Sequence, residues 1–413
     1  MSTTNTGAPD VSPNSFWRRP ASERATVWAE LRADHPVSLQ PAPAETLIPG
    51  RPFWAVTRHA DVQYVSRHPE LFCSGEGVGM ADIPVEFLEL NSSFLVMDAP
   101  RHTKLRRIVS GAFTPRRVAM LDELITEQAR TNVDRFVDAG GGDVVEGLAK
   151  HLPLWAISTM MGVPEELRAD LYEAAEGMIT IQDPEFVSNP DEALALGMHC
   201  AGELHRIAAE LVERRREEPG DDVLSALVTA EVDGELLSTQ ELGAIFALFA
   251  VAGNDTTRNS TSHGIRLFAE HPGEWDRLRA EPDLLASAVE EIVRVATPVL
   301  HFRRTATEDT ELGGASIAKG DPVVLFYEAA NRDETVFDDP ERFDIGRSPN
   351  PHVSFGGGGA HFCLGANLAR TELKATFGRL AERVARFDVG PADYLTSSFV
   401  HGIKRMPVTV TPA

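Results

Sequence analysis

The chain has 413 residues, with 62 acidic against 39 basic side chains and a formal net charge of −23. That balance argues against nucleic acid as a partner, because phosphate binding needs a basic footprint. Three cysteines (Cys73, Cys200, Cys363) are too few for a disulfide scaffold and fit a reducing compartment. The polar start has no apolar stretch behind a charged head, so no signal peptide is expected. The most apolar run, residues 242–253, is far too short to span a bilayer. A soluble, cytoplasmic protein with no membrane anchor is the expectation.

In chain order, residues 1–15 read as a flexible polar tail, ahead of a single domain over 16–413. Aromatic and β-branched runs at 53–56 and 407–411 predict strands. Residues 138–142 and 217–220 read as turns. Ser238-Thr-Gln-Glu241 is a capping box, and helical sequence continues from it until His271-Pro272-Gly273. That helix is about 32 residues, or nearly 50 Å at 1.5 Å per residue, well beyond ordinary globular length. A second helix after Cys363 carries an apolar stripe of Leu364, Leu368, Leu373, Phe377, Leu380 and Val384. The fold class is mainly α with a minor β region.

Phe355-Gly-Gly-Gly-Gly-Ala-His-Phe-Cys363-Leu-Gly365 carries the most chemistry. The glycines let the backbone close around the sulfur, and the following helix directs its positive end there. Both favour a thiolate. With no second Cys or His at zinc spacing, a tetrahedral zinc site is disfavoured. One thiolate suits an axial position on haem iron. An inert buried thiol and a His-activated nucleophile remain open on the residues alone.

This segment resembles the haem-binding loop of the cytochrome P-450 monooxygenases. Phe355 lies eight residues before Cys363, one more than the family's usual spacing, so the loop holds an additional glycine. A loop of this length resembles the bacterial branch that oxidises sterol side chains and methyl-branched lipids. The resemblance runs from about residue 20 to the C-terminus. It implies a triangular prism of helices with a long central helix and the cysteine loop on the proximal haem face. It also implies haem b as cofactor, with Cys363 as iron ligand and Phe355 and Gly365 beside it.

Ala252-Gly253-Asn-Asp255-Thr256-Thr257 sits inside the long helix, where Gly and β-branched residues are poor helix formers. By resemblance it is the oxygen-activating segment. Thr256 would place a hydroxyl beside dioxygen and a water, Asp255 would gate protons, and Ala252 and Gly253 would open the helix. Glu291 and Arg294, three apart on one helix face, match the family's buried ion pair, with Arg342 as its third member. His102 and Arg106, one turn apart, match the partners of the haem propionates together with Arg304 and His361. The basic residues from Arg101 to Arg117, free of acids, would lie where an iron–sulfur ferredoxin docks, itself served by a ferredoxin reductase. Gly75-Glu-Gly-Val-Gly79 lacks a surrounding strand–turn–helix and is not read as a dinucleotide loop.

The resemblance implies hydroxylation of a hydrophobic small molecule, a sterol side chain, branched lipid or terpenoid. Val299, Leu300, Phe399 and Val400 would line its pocket. Two alternatives remain: a haem carrier without turnover, and a tailoring oxidase acting on a polyketide, macrolide or carrier-tethered substrate.

Overall fold

The computed structural model describes residues 7–44, 50–82, 92–111, 113 and 115–413, the side chains of 115–120 excepted. It is 53% helical and 14% strand, the mainly α fold with a minor β region read from the sequence. Among the described residues no helix is long and apolar enough to cross a membrane.

The central helix runs Thr239–Glu270. At its start Ser238 Oγ accepts the Glu241 N–H at 3.2 Å, while Glu241 Oε2 accepts the Ser238 N–H at 2.9 Å. Two otherwise orphaned donors are thereby satisfied. At its end His271 leaves helical geometry, and Pro272 opens the next helix, Pro272–Ala280. The central helix is buried along most of its length. It packs against Pro190–Glu217, His151–Met161, Leu285–Ala296 and Ala366–Arg383. A helix enclosed on so many sides is a strut that fixes its neighbours rather than a surface element.

Five strands form the larger sheet, in the spatial order Val37–Gln40, Phe53–Val56, Pro322–Phe326, His301–Ala306, Phe72–Cys73. A three-stranded sheet joins Val384–Val389, Pro407–Pro412 and Gly141–Asp143. The stretch 138–142 is therefore more than a turn, since its last glycines pair with the C-terminal strand. The cysteine-loop helix is shorter than its apolar stripe suggests. It begins at Ala366 and ends at Arg383, and Val384 starts a strand.

The start of the chain also differs from a tail reaching residue 15. Ala8 and Val11 are buried beside Phe16, Trp17 and Trp28, and the Val11 N–H donates to Gln40 at 3.0 Å. Burial of these few apolar side chains outweighs the polar composition around them. Residues 1–6 lie outside the described residues.

Candidate active site

Cys363 closes its own loop: its N–H donates to Phe355 O at 2.8 Å. Gly357, Gly358 and Gly359 lie against the helix His59–Arg67. A Cβ on Gly359 would sit 2.1 Å from Ser66 O, so that crossing exists only for glycine. Beyond the loop, Cys363 opens into an internal cavity that it shares with Thr256 and Phe302. Burial pushes its thiol up. The Gly365 and Ala366 N–H groups and the Arg106 and Arg370 guanidiniums pull the other way. Cys73 and Cys200 do not line this cavity, and burial raises both thiols.

Across the cavity, Ala252, Gly253 and Thr256 form part of the opposite wall. Thr256 Oγ1 donates to Ala252 O at 3.0 Å. Gly253 has a packing reason as well, since a Cβ there would lie 3.0 Å from Ile157. Asp255 does not reach the cavity. Its carboxylate is buried in an ion pair with Arg258 and accepts the Asn259 side-chain N–H at 3.1 Å. Arg258 goes on to Glu176 at 2.9 Å and to the Tyr172 hydroxyl at 3.3 Å. Burial pushes the Asp255 carboxyl up, against the pull of Arg258. Arg258 and Glu176 gave no signal in the sequence, because Glu176 lies on a different helix.

His102, Arg106, Arg304 and His361 converge at one flank. The His102 and His361 rings are 4.2 Å apart between centroids, and Arg106 donates to Phe362 O. Arg304 is almost fully buried and donates to Arg303 O at 2.7 Å. Burial, then Arg304, His102 and Arg106, hold the His361 imidazole down to about 3. His102 Nε2 is buried with no partner. Asp98 is the acid whose charge acts on His102 and Arg304. A cluster of donors with an orphaned nitrogen is nonetheless shaped for an anion.

The buried network around Glu291 and Arg294 has a different third member from the one expected. Arg294 pairs with Glu291 through Nε at 2.8 Å, both side chains sealed from solvent. Arg347 Nε, not Arg342, completes it at 3.2 Å from Glu291. Arg342 has an exposed side chain and contributes only its carbonyl, which accepts from Arg294 at 3.2 Å. Arg342 follows a tight turn at Asp339, so its side chain faces water while Arg347 returns inward.

Of the four residues expected to line the pocket, only Val299 does so among the described residues. Leu300 points the opposite way, into the cluster with Trp17 and Phe326, as alternation along an extended segment requires. Val400 bridges to Val299, and Phe399 stands edge-on behind Phe302 at 5.4 Å. The basic stretch is also less free than its sequence suggests. Arg101 pairs with Glu241 and Lys104 with Asp233, acids brought in from distant segments. The side chains of Arg116 and Arg117 lie outside the described residues.

The cytochrome P450 family profile matches residues 85–392. The chain belongs to the cytochrome P450 family. It is 42% identical over 402 residues to a methyl-branched lipid omega-hydroxylase of Mycobacterium tuberculosis H37Rv, covering 95% of this chain and 92% of the other. It is 42% identical to a steroid C26-monooxygenase of Rhodococcus jostii RHA1, covering 92% and 80%. A cytochrome P450 of Mycobacterium marinum, solved with pseudoionone, superposes with a TM-score of 0.95 at 47% identity, covering 99% of this chain and 100% of that one. This cytochrome P450 is a monooxygenase whose cofactor is haem b. The site fits that group on its own geometry: one thiol opens into an apolar cavity, and the flank of Arg106, Arg304 and the unpartnered His102 Nε2 could receive two carboxylates.

Proposed function

We propose that this cytochrome P450 hydroxylates a methyl-bearing apolar chain, a sterol side chain, branched lipid or terpenoid, at or near its end. The observation that carries the reading is the wall facing Cys363: Phe94, Phe249, Val299 and Phe302 offer apolar surface close to the Ala252–Thr256 turn. The names of its relatives, and the branched pseudoionone in the Mycobacterium marinum enzyme, support the same class.

Haem b, held by the Cys363 thiolate, supplies the oxygen chemistry, and His102, Arg106, Arg304 and His361 receive its propionates. Phe355 and Gly365 shape the backbone around the sulfur. Thr256 holds a proton at Oγ1, satisfied by Ala252 O until a better acceptor enters. Asp255 exchanges protons with the Arg258–Glu176 side, and burial, which raises its carboxyl against the pull of Arg258, eases proton uptake there. Electrons come from an iron–sulfur ferredoxin and its reductase, and the enzyme works in the cytoplasm.

Titrating sterols, branched fatty acids and terpenoids while following the haem spin state tests the reading. The expected result is a shift to high spin for this class. If none binds below about millimolar, worth only about 4 kcal/mol, while a polar macrolide does, the lipid reading fails.

A further inference from the structure

Two consecutive acids on the helix Leu285–Ala296 divide the frame of the cysteine loop between them. Glu291 holds Arg294 and Arg347. Glu290 instead clamps Arg370, on the helix that starts just after Cys363, through two bonds of 2.6 and 2.8 Å. His352 Nε2 bonds the same carboxylate at 3.1 Å. Its Nδ1 accepts the Ser354 N–H at 3.3 Å, so the ring proton sits on Nε2 and the bond needs no charge. Burial pushes the Glu290 carboxyl up, but these hydrogen bonds bring it down to about 2. It is an anion at any working pH.

Clamped in this way, the Arg370 guanidinium lies 4.4 Å from the centre of the Phe355 ring. Phe355 is the residue whose carbonyl takes the Cys363 N–H. Arg370 is also one of the two guanidiniums whose charge acts on the Cys363 sulfur. A bidentate clamp and a ring face hold a planar guanidinium in place far better than an ammonium. A fixed positive charge beside a metal's ligand favours the lower oxidation state.

We propose that Arg370, clamped by Glu290 and seated on the Phe355 ring, is a positioning residue that sets the reduction potential of the iron ligated by Cys363. The inference rests on Cys363 as the ligand.

Spectroelectrochemical titration of the holoenzyme tests it. Arg370→Gln removes a positive charge, so the ferric form gains. The ferrous-to-ferric ratio at a fixed applied potential should fall about fivefold, the scale of one charge acting across partly solvated protein. Glu290→Gln removes a negative charge while its amide oxygen can still accept from Arg370 over the Phe355 ring, and so should raise that ratio. Arg370→Lys keeps the charge but loses the fork and the stacking, and should fall between wild type and Arg370→Gln. A purely structural role would move the Gln variants in the same direction, so opposite signs are the signature. Ratios within twofold of wild type in both Gln variants, or a shared direction, overturn the proposal while the thiolate carbon monoxide band is intact. If Arg370→Gln cannot retain haem, the sign of Glu290→Gln decides. Absence of that band in the wild-type holoenzyme would instead overturn the ligand assignment beneath it.

Discussion

Asp255 and Thr256 are consecutive on the central helix yet serve different faces. Thr256 opens toward Cys363 with its hydroxyl on Ala252 O at 3.0 Å, while Asp255 is sealed against Arg258. Any proton passing between them must cross from the buried ionic side to the cavity side of one helix. Asp255→Asn should therefore slow turnover by about 10²-fold, at the low end of general acid–base contributions, with substrate affinity unchanged. Thr256→Ala should keep substrate binding but release peroxide in place of product. Product formed per NADH, measured beside peroxide release, checks both; full coupling in Thr256→Ala would count against its role.

Carbon monoxide on the reduced holoenzyme should give the long-wavelength Soret band of thiolate ligation. Cys363→Ala should lose it, and Cys73→Ala and Cys200→Ala should keep it, since neither sulfur lines the cavity. A band surviving in Cys363→Ala would remove the assignment.

The cationic flank predicts how firmly haem is held. His102 Nε2 is buried without a partner, so a propionate oxygen there would gain a charge-assisted hydrogen bond. His102→Phe should speed haem loss to a scavenger protein by about 10-fold or more, the equivalent of one hydrogen bond to a charged group. An unchanged loss rate would place the propionates elsewhere.

Arg347 and Arg342 separate by stability. Arg347 is nearly sealed, contacts Glu291 at 3.2 Å and also donates to Asp338 O at 2.7 Å. Arg347→Ala should cost about 3 kcal/mol, as removal of one partner from a buried ionic network does. Arg342→Ala should stay within about 0.5 kcal/mol. Urea unfolding of the two variants gives the comparison directly.

Buried neutral histidines set the acid side of the stability curve. His301 accepts the Met80 N–H at Nε2 and donates from Nδ1 to Ser398 O, and burial takes its pKa down to about 4. Between the unfolded value near 6.5 and that folded value, the unfolded chain binds a proton that the folded chain refuses. Stability should therefore fall as pH drops from about 6.5 toward 4, by up to about 1.4 kcal/mol per pH unit for this residue. His263 and His401, buried 4.2 Å apart between ring centroids, act in the same direction. His301→Gln should flatten the slope in pH-dependent urea melts, and an unchanged slope would exclude His301 as a contributor.

Local chemistry made much of this protein legible from its sequence. The capping box at Ser238, the stop at His271-Pro272, the strand at Phe53–Val56 and the glycine-flanked Cys363 each depend on residues within a few positions of one another. Such signals survive without knowledge of the fold because hydrogen bonds and φ preferences act over one turn. Tertiary structure alone decided the rest. It chose Arg347 over Arg342 as partner of Glu291, turned Leu300 into the core and brought Glu241 and Asp233 onto the basic stretch. It also put Arg258 and Glu176 behind Asp255, and buried Val11 against the body of the protein. Each of these depends on which distant segments meet. A charge or an apolar face finds its partner by burial and geometry across the whole chain, which spacing along the sequence does not encode.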